Sequence, residues 1–590
     1  MAKHSLLLLS TLALNTYASS PVSPLTDEPL IGSAYLPAAN SSFSAFDDAR
    51  AKAKAWIDQA VATGESEYGA IDTQETSFSV SVFSTNSNET LFTYHYEAPL
   101  LNGSYTRGKL TDDTIYRTGS IGKLLSVYQF LVDVGDNVYV DPITKYIPEL
   151  ANAPYDNPLE QVNWNEITLG SLAAQMSGLG RDFRLADYAV GSIGSPDQED
   201  SVALAIENGF PPPILAIPPT CAYYSYELPT CDRATYLQGL IEHPVVFPSY
   251  TKAAYSNIAY PLLMMAYEKI TGRSFKDGFD SVYRDRIGMI SAYADSPPKD
   301  VDAVIPYNDT YATFTFSIGL QWPAGGQYLS TRDYQQWGRA ILQSSLLPKV
   351  MTRRWLKPQS VTGQWASDVG APWEIFRLPI PVDPTLNTTR IVDIYTKGGD
   401  VGVYSTAFGL VPDHDIGFTV LAAGAAPNPQ VQPLKSLIAE LFINAAEAAA
   451  KEQARNAFTG TFVSTDPNLN SSITLEVDSG PGVVITEWIS NGTDFKNSPL
   501  IGAVDARLYP SHLERAGENG AVWQGFRGLF LPERLPEEEN LWPQYKDTWY
   551  FPDSRIYDNR ASDGFNVEFD RNGIVQTIES HSLRIKLKRE

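Results

Sequence analysis

The stretch "RTGSIGKLLSVYQFL" sets Ser120 at the mouth of an apolar run and Lys123 one helical turn further on. A serine hydroxyl is a poor nucleophile until a neighbouring base takes its proton, and lysine is such a base only when burial or a second cation lowers its pKa. The same spacing suits an N-cap serine followed by a surface lysine. Ser-x-x-Lys recurs at Ser249/Lys252 and Ser296/Lys299, so spacing alone decides nothing. Context separates the three. Pro297 and Pro298 interrupt the last pair, Pro and Tyr flank the second, and only the first leads into Leu124, Leu125, Tyr128, Leu131 and Val132 at helical spacing. A helix with that pattern is buried, which desolvates the amine, and its N-terminus offers a dipole and free N–H groups where an oxyanion would form.

Partners for such a pair lie far along the chain. "YTKAAYSNIAYPLL" supplies Tyr255 and Asn257 before an apolar segment, and "YTKGGDVGVYS" supplies Lys397 at the end of a strand-like run. Tyr-x-Asn also occurs at Tyr155 and Tyr557, and Lys-x-Gly at Lys276, so the joint arrangement carries the reading. That arrangement resembles the penicillin-recognising serine hydrolases: class C β-lactamases, D-alanyl-D-alanine carboxypeptidases and related esterases. The resemblance spans roughly residues 45–450 and includes "LTDDTIYRTGSIGKLLS", "DPITKYIPEL", "ITLGSLAAQMSGL", "YEKITGRSF" and "WPAGGQYLSTRDY" in family order. It implies that Ser120 is acylated, that Lys123 is its base, and that Tyr255 shuttles the proton to the leaving group. It further implies that Asn257 positions substrate and lysine, that Lys397 keeps the site positive, that the N–H groups of Ser120 and Asp400 form an oxyanion hole, and that Gly398 and Gly399 line the substrate.

One departure matters. Where β-lactamases and carboxypeptidases commonly carry Thr or Ser after the strand lysine, this chain has Gly398. The missing hydroxyl would help hold a substrate carboxylate, and a lost charge-assisted hydrogen bond costs about 1.5–3 kcal/mol. The expectation is therefore an ester, lactone or amide without a free carboxylate. Beside a hydrolase acting through an acyl-enzyme, the alternatives are an acyltransferase using the same intermediate, a β-lactamase or D-aminopeptidase activity, and a binding protein of the same fold that has lost the activity. No Gly-x-Ser-x-Gly elbow, His-Glu-x-x-His or paired His/Cys metal spacing occurs, and no cofactor or metal is expected.

The elements that must position these residues suggest mixed α and β structure. "FDDARAKAKAWIDQAVATG" has Ala53, Ile57 and Val61 at helical spacing, and "TSFSVSVFSTNSNETLFTYHYEA" alternates around a break, which predicts a hairpin. Helical segments and loops follow from 120 to about 182. A Pro-rich, acidic stretch from about 183 to 250 is expected to cover one side of the domain. Helix is expected over 255–275 and from about Thr331, three strands over 391–424 punctuated by "KGGD" and "PDHD", and a long helix from about Val431 to Ala457. Residues 458–590 are short β-type runs separated by Gly, Asn, Pro and Asp, which predicts a second domain, a β-barrel or sandwich. The resemblance implies an α+β fold of the β-lactamase/transpeptidase type for 45–457, an antiparallel sheet flanked by helices plus an all-helical lobe.

At 590 residues the chain exceeds one hydrophobic core, and 43% hydrophobic with 19% charged residues is a globular composition. A net charge of −24 without a basic stripe argues against nucleic acid. Lys3 and His4, the apolar run from Leu6 to Leu14 and the small residues around Ala18 predict a signal peptide over 1–18, too short for a membrane span, then an extended leader over 19–44. A secreted protein, with a small-molecule or peptide-like acyl substrate and no membrane partner, is expected. Cys221 and Cys231, the only cysteines, suit a small disulfide loop in an oxidising compartment. Sequons at Asn40, Asn88, Asn102, Asn308, Asn387, Asn470 and Asn491 agree with that route.

Overall fold

The computed structural model describes residues 30, 32–183, 198–213, 221, 228–382, 389–531 and 548–590. The predicted signal peptide, much of the leader, Asn387 and parts of the 183–250 stretch lie outside the described residues. The chain divides into two compact units, one of Leu36–Leu378 with Ile391–Gln453, the other of Met1–Tyr35, Pro379–Arg390 and Ala454–Glu590.

The first unit is built on an eight-stranded sheet. Its strands are β1 (Thr76–Ser84), β2 (Thr90–Tyr96), β3 (Ser360–Val361), β4 (Ser367–Val369), β5 (Glu374–Pro381), β6 (Thr389–Val401), β7 (Tyr404–Val411) and β8 (Ile416–Gly424), in the order β2-β1-β8-β7-β6-β5-β4-β3. The expected hairpin is β1–β2, with its turn in "STNSNE". Along β1, β7 and β8 every residue is buried, so helices must cover both faces of the sheet centre. The three strands expected over 391–424 are β6, β7 and β8, but "KGGD" is not a break. It lies inside β6, where Lys397 pairs with Phe408 and Asp400 with Ser405, and the chain turns at Gly402–Val403. The two glycines read as turn punctuation stay extended because the β7 ladder holds them.

Helix α1 (Ser44–Thr63) buries Phe46, Ala49, Ala53, Ile57 and Ala60, while Val61 is only partly covered. Helix α2 (Gly122–Asp133) follows a single 3₁₀ turn at Gly119–Ile121 and is buried at every position from Gly122 to Leu131. Each large apolar side chain there contributes roughly 1.5–3 kcal/mol on burial. Helix α3 (Ala259–Thr271) begins four residues later than the sequence suggests, leaving Tyr255 and Asn257 in an irregular segment ahead of it. Helix α4 (Thr331–Leu342) opens with a capping box in which Ser330 and Asp333 satisfy each other's backbone N–H groups. Trp337 of α4 stacks on Phe408 of β7, with ring centres 4.9 Å apart, and meets Tyr128 of α2 edge-on. One aromatic cluster thereby fixes helix α2 to the sheet. The long C-terminal helix starts earlier than expected, at Pro427, and runs as Pro427–Ile438, a π turn over Ala439–Ile443, and Asn444–Phe458.

The second unit is an antiparallel barrel. Within its nine-stranded sheet, Ser472–Glu476 pairs with both Gly460–Ser464 and Val483–Ser490, and Gly460–Ser464 also pairs with Ile585–Arg589. Eight of the nine strands therefore close into a ring, and the two-residue strand Thr493–Asp494 hangs on Val483–Ser490 outside it. Phe462, Ile473, Ile485, Trp488, Val567 and Ile578 are among its buried residues. Phe458 lies edge-on to Phe526 and Phe569 in the same unit.

Candidate functional site

Three segments distant in sequence meet at Ser120. The first is the Gly119–Ile121 turn, tied to the sheet by Thr406 Oγ1 of β7, which donates to the Thr118 carbonyl at 2.7 Å. The N–H of the same residue, Thr118, donates to Gln327 O at 2.9 Å. Contact with β6 is backbone on backbone. A Cβ at Gly399 would lie 2.2 Å from Thr118 O and 2.7 Å from Ser120 N, and one at Gly119 would lie 2.5 Å from Asp400 N. Glycine at both positions lets the backbone amides of Ser120 and Asp400 come together.

Lys123 is fully buried, and its Nζ lies 2.9 Å from Ser120 Oγ and 2.8 Å from Ala324 O. Ala324 sits in the Trp322–Gly325 turn, and Ser126 of α2 donates to the neighbouring Pro323 carbonyl at 2.7 Å. The "WPAGG" segment thus anchors one face of α2 through its carbonyls. Burial lowers the Lys123 pKa, the Tyr255 charge opposes that, and Lys397 lowers it further.

Tyr255 donates its hydroxyl to Ser120 Oγ at 2.6 Å. Its loop is pinned to residues 175–181: Ala254 N–H donates to Gln175 O at 2.9 Å, Ser256 N–H to Gln175 Oε1 at 2.7 Å, and Asn257 N–H to Arg181 O at 2.8 Å. Two ammonium groups lie near the phenol ring, Lys123 Nζ at 4.9 Å and Lys397 Nζ at 5.4 Å from its centre. The Arg181 guanidinium lies 4.8 Å from the same ring. Burial pushes the phenol upward, but Lys123 and Lys397 outweigh it and bring the pKa down to about 8.

Lys397 is buried on β6 and its Nζ lies 2.5 Å from Glu374 Oε1 of the neighbouring strand β5. Burial would lower the Lys397 pKa, yet Glu374 and Tyr255 together raise it, so the ammonium stays charged. Glu374 is held below its ordinary range by Lys397, against the effect of burial. Its second oxygen, Oε2, accepts the Gly398 N–H at 2.9 Å.

Ser120, Lys123, Tyr255 and Lys397 are thus brought together, with Gly398, Gly399 and Asp400 alongside. Asn257 takes a different partner from the one the resemblance implies: its Nδ2 donates to Asp182 Oδ1 at 2.6 Å, and Lys123 finds Ala324 O instead. Burial raises the Asp182 pKa, partly countered by the Asn257 hydrogen bond. Asp182, Glu374 and the Ala324 carbonyl were not identified from sequence, because no motif marks them. Glu374 lies on a strand whose pairing with β6 is a tertiary fact. The other two Ser-x-x-Lys pairs do not join this cluster. Cys221 and Cys231 are joined in a disulfide. Among the described residues, no group of three or more His, Cys, Asp or Glu could hold a metal ion, and no helix is long and apolar enough to cross a membrane.

The β-lactamase family model matches residues 72–442, a span that contains the whole cluster. The chain belongs to the β-lactamase family. A second family model, described as a β-lactamase-like C-terminal domain, matches residues 450–590. Similar proteins include a β-lactamase-like protein of Arthroderma benhamiae, 27% identical over 472 residues that cover 76% of this chain and 75% of that one. "Probable hydrolase clz13" of Cochliobolus lunatus is 27% identical over 501 residues, covering 78% and 77%. Among solved structures, a class C β-lactamase aligns over 68% of this chain and 97% of its own at 14% identity, with a TM-score of 0.46. An octameric penicillin-binding protein homologue from Pyrococcus abyssi aligns over 91% and 99% at 16% identity, with a TM-score of 0.45.

Proposed function

We propose that this family member is a serine hydrolase that cleaves an ester, lactone or amide through an acyl-enzyme on Ser120. The observation that carries the reading is the double contact of Ser120 Oγ, with Lys123 Nζ at 2.9 Å and the Tyr255 hydroxyl at 2.6 Å. Attack by Oγ on the acyl carbonyl forms the Ser120 C–O bond while the hydroxyl proton passes to the Lys123–Tyr255 pair. The N–H groups of Ser120 and Asp400 receive the oxyanion, and collapse expels the leaving group with a proton delivered from Tyr255. Water then repeats the sequence on the acyl-enzyme and frees Ser120. Lys397 acts through charge by favouring the ionised phenol. Asn257 fixes Asp182 and, through its N–H to Arg181 O, the loop that carries Tyr255. The hydrolase name of the similar Cochliobolus lunatus protein supports the reading.

Export is proposed with it. The apolar run Leu6–Leu14 of the predicted signal peptide, the Cys221–Cys231 bridge and the exposure of Asn40, Asn88, Asn102, Asn308, Asn470 and Asn491 all support a secretory route.

Labelling with a fluorophosphonate and turnover of a panel of aryl esters, lactones and amides test the hydrolase reading on the full chain. Wild type is expected to carry one label on Ser120 and to turn over at least one neutral ester. Ser120→Ala is expected to lose the label and about 10³-fold or more of kcat/KM. Absence of label and turnover in a folded wild type would leave a binding protein of the same fold.

A further inference from the structure

We infer that Glu374 occupies the anion subsite of this centre and bars acyl substrates that carry a free carboxylate beside the scissile bond. The inference rests on the proposed role of Ser120 and names the substrate class of that same site.

Two donors within β6 are suited to a substrate carboxylate: the Lys397 ammonium and the backbone N–H of Gly398. Both are already used by one side chain of the protein. Glu374 Oε1 lies 2.5 Å from Lys397 Nζ, and Oε2 accepts the Gly398 N–H at 2.9 Å. A further Lys397 donor goes to the Gly398 carbonyl at 2.8 Å. A second carboxylate arriving at these donors would meet the first, and two adjacent carboxylates cannot both stay ionised without a further cation. Lys435 also acts on Glu374, but at a distance, with no hydrogen bond between them.

The absence of a side chain at Gly398 belongs to the same arrangement. A Cβ there would meet nothing nearer than Glu374 Oε2, at 3.7 Å, and Thr406 O, at 4.0 Å. Steric demand therefore does not require glycine. What stands in the space a hydroxyl would enter is the Glu374 carboxylate. The Glu374 side chain is not sealed in the core: 40% of it is exposed, against 3% for Lys397. The position therefore presents solvent and substrate with a neutralised pair whose outer face accepts hydrogen bonds. It suits a neutral or amine-bearing acyl substrate.

The test uses two probes identical except for one charge, benzylpenicillin and its methyl ester, with acylation of the full chain followed by intact-protein mass. Wild type is expected to react with the methyl ester at least about tenfold faster than with the free acid, by analogy with the strength of charge-assisted contacts. Glu374→Gln keeps the side chain's shape and an oxygen for the Gly398 N–H. It is expected to shift the ratio of the two rates roughly 10- to 100-fold toward the acid. Gly398→Thr alone is expected to leave the ratio unchanged, and the double variant to exceed Glu374→Gln. Preference of wild type for the free acid, failure of the methyl ester to react, or an unchanged ratio in Glu374→Gln would overturn the inference. The wild-type ratio needs no variant, so misfolding of Glu374→Gln cannot shield the proposal. Loss of fluorophosphonate labelling at Ser120 in the same preparation would instead sink the hydrolase reading and this inference with it; labelling with the wrong ratio sinks only the inference.

Discussion

At the scale of single residues, the proposed mechanism makes the state of Tyr255 the one that sets the pace. Its pKa of about 8 places the phenol mostly protonated at neutral pH, with roughly a tenth ionised at pH 7. The reacting form is the one that can take the Ser120 proton, so kcat/KM for a neutral ester is expected to rise with pH and level off above about 8. Below that value it should fall about tenfold per pH unit. The limb belongs to the Tyr255–Lys123 pair rather than to one group, because the two charges act on each other. Lys397→Met removes one of the cations that lower the phenol and should move the limb upward by about one pH unit. A pH–rate profile of wild type and variant checks both statements, and a limb that stays in place would remove Lys397 from its electrostatic role. Ser120, Lys123, Tyr255 and Lys397 were legible in sequence because each sits in a short motif. Asp182 and Glu374 were not, since a carboxylate becomes informative only when the fold gives it a cation or an amide to hold.

Secondary-structure elements translate those residues into geometry. Helix α2 is covered on all sides, so its register is set by packing, and Trp337 of α4 is the wedge between it and the sheet. Trp337 is fully buried, stacked on Phe408 and edge-on to Tyr128 and Tyr283. Trp337→Ala is expected to cost about 3–5 kcal/mol, measured by urea unfolding of the full chain. Residual activity in the folded fraction should drop as well, since α2 loses its support against β7. A cost below about 1 kcal/mol would mean that the cluster repacks and that Trp337 does not fix α2. The start of α4 was readable from "LSTRDY", where a cap and its carboxylate sit three apart. The extended course of "KGGD" was not readable, because glycines signal turns locally and only the β7 ladder overrides that preference.

For the whole molecule, the two units have separate cores, one organised on an open sheet under helices and the other on a closed barrel. The charge of −24 is spread over a sequence with no basic stripe, which favours solubility. The Cys221–Cys231 bridge spans a short loop, and its removal is expected to cost about 2–3 kcal/mol on the chain-entropy estimate. Replacing both cysteines by serine and comparing urea midpoints checks that magnitude; equal midpoints would refute it. Produced through a eukaryotic secretory host, the chain should begin near residue 19 and lose mass on treatment with peptide N-glycosidase. An unprocessed N-terminus and an unchanged mass would count against export.

Sequence by itself pointed to four residues that the fold brings together, Ser120, Lys123, Tyr255 and Lys397, to where the helices and strands broadly run, and to a β-rich domain after a mixed one. Those properties are local: a motif, a period of two or of 3.6, a capping pair, a change in composition. Tertiary structure decided the rest. It turned Asn257 toward Asp182, gave Lys123 the carbonyl of Ala324, closed the C-terminal strands into a barrel, and laid Glu374 across Lys397 and Gly398. Each of these depends on which strand or loop becomes the neighbour of which, and that is settled by packing between residues that are not sequence neighbours, 23 positions apart for Lys397 and Glu374 and 201 apart for Lys123 and Ala324.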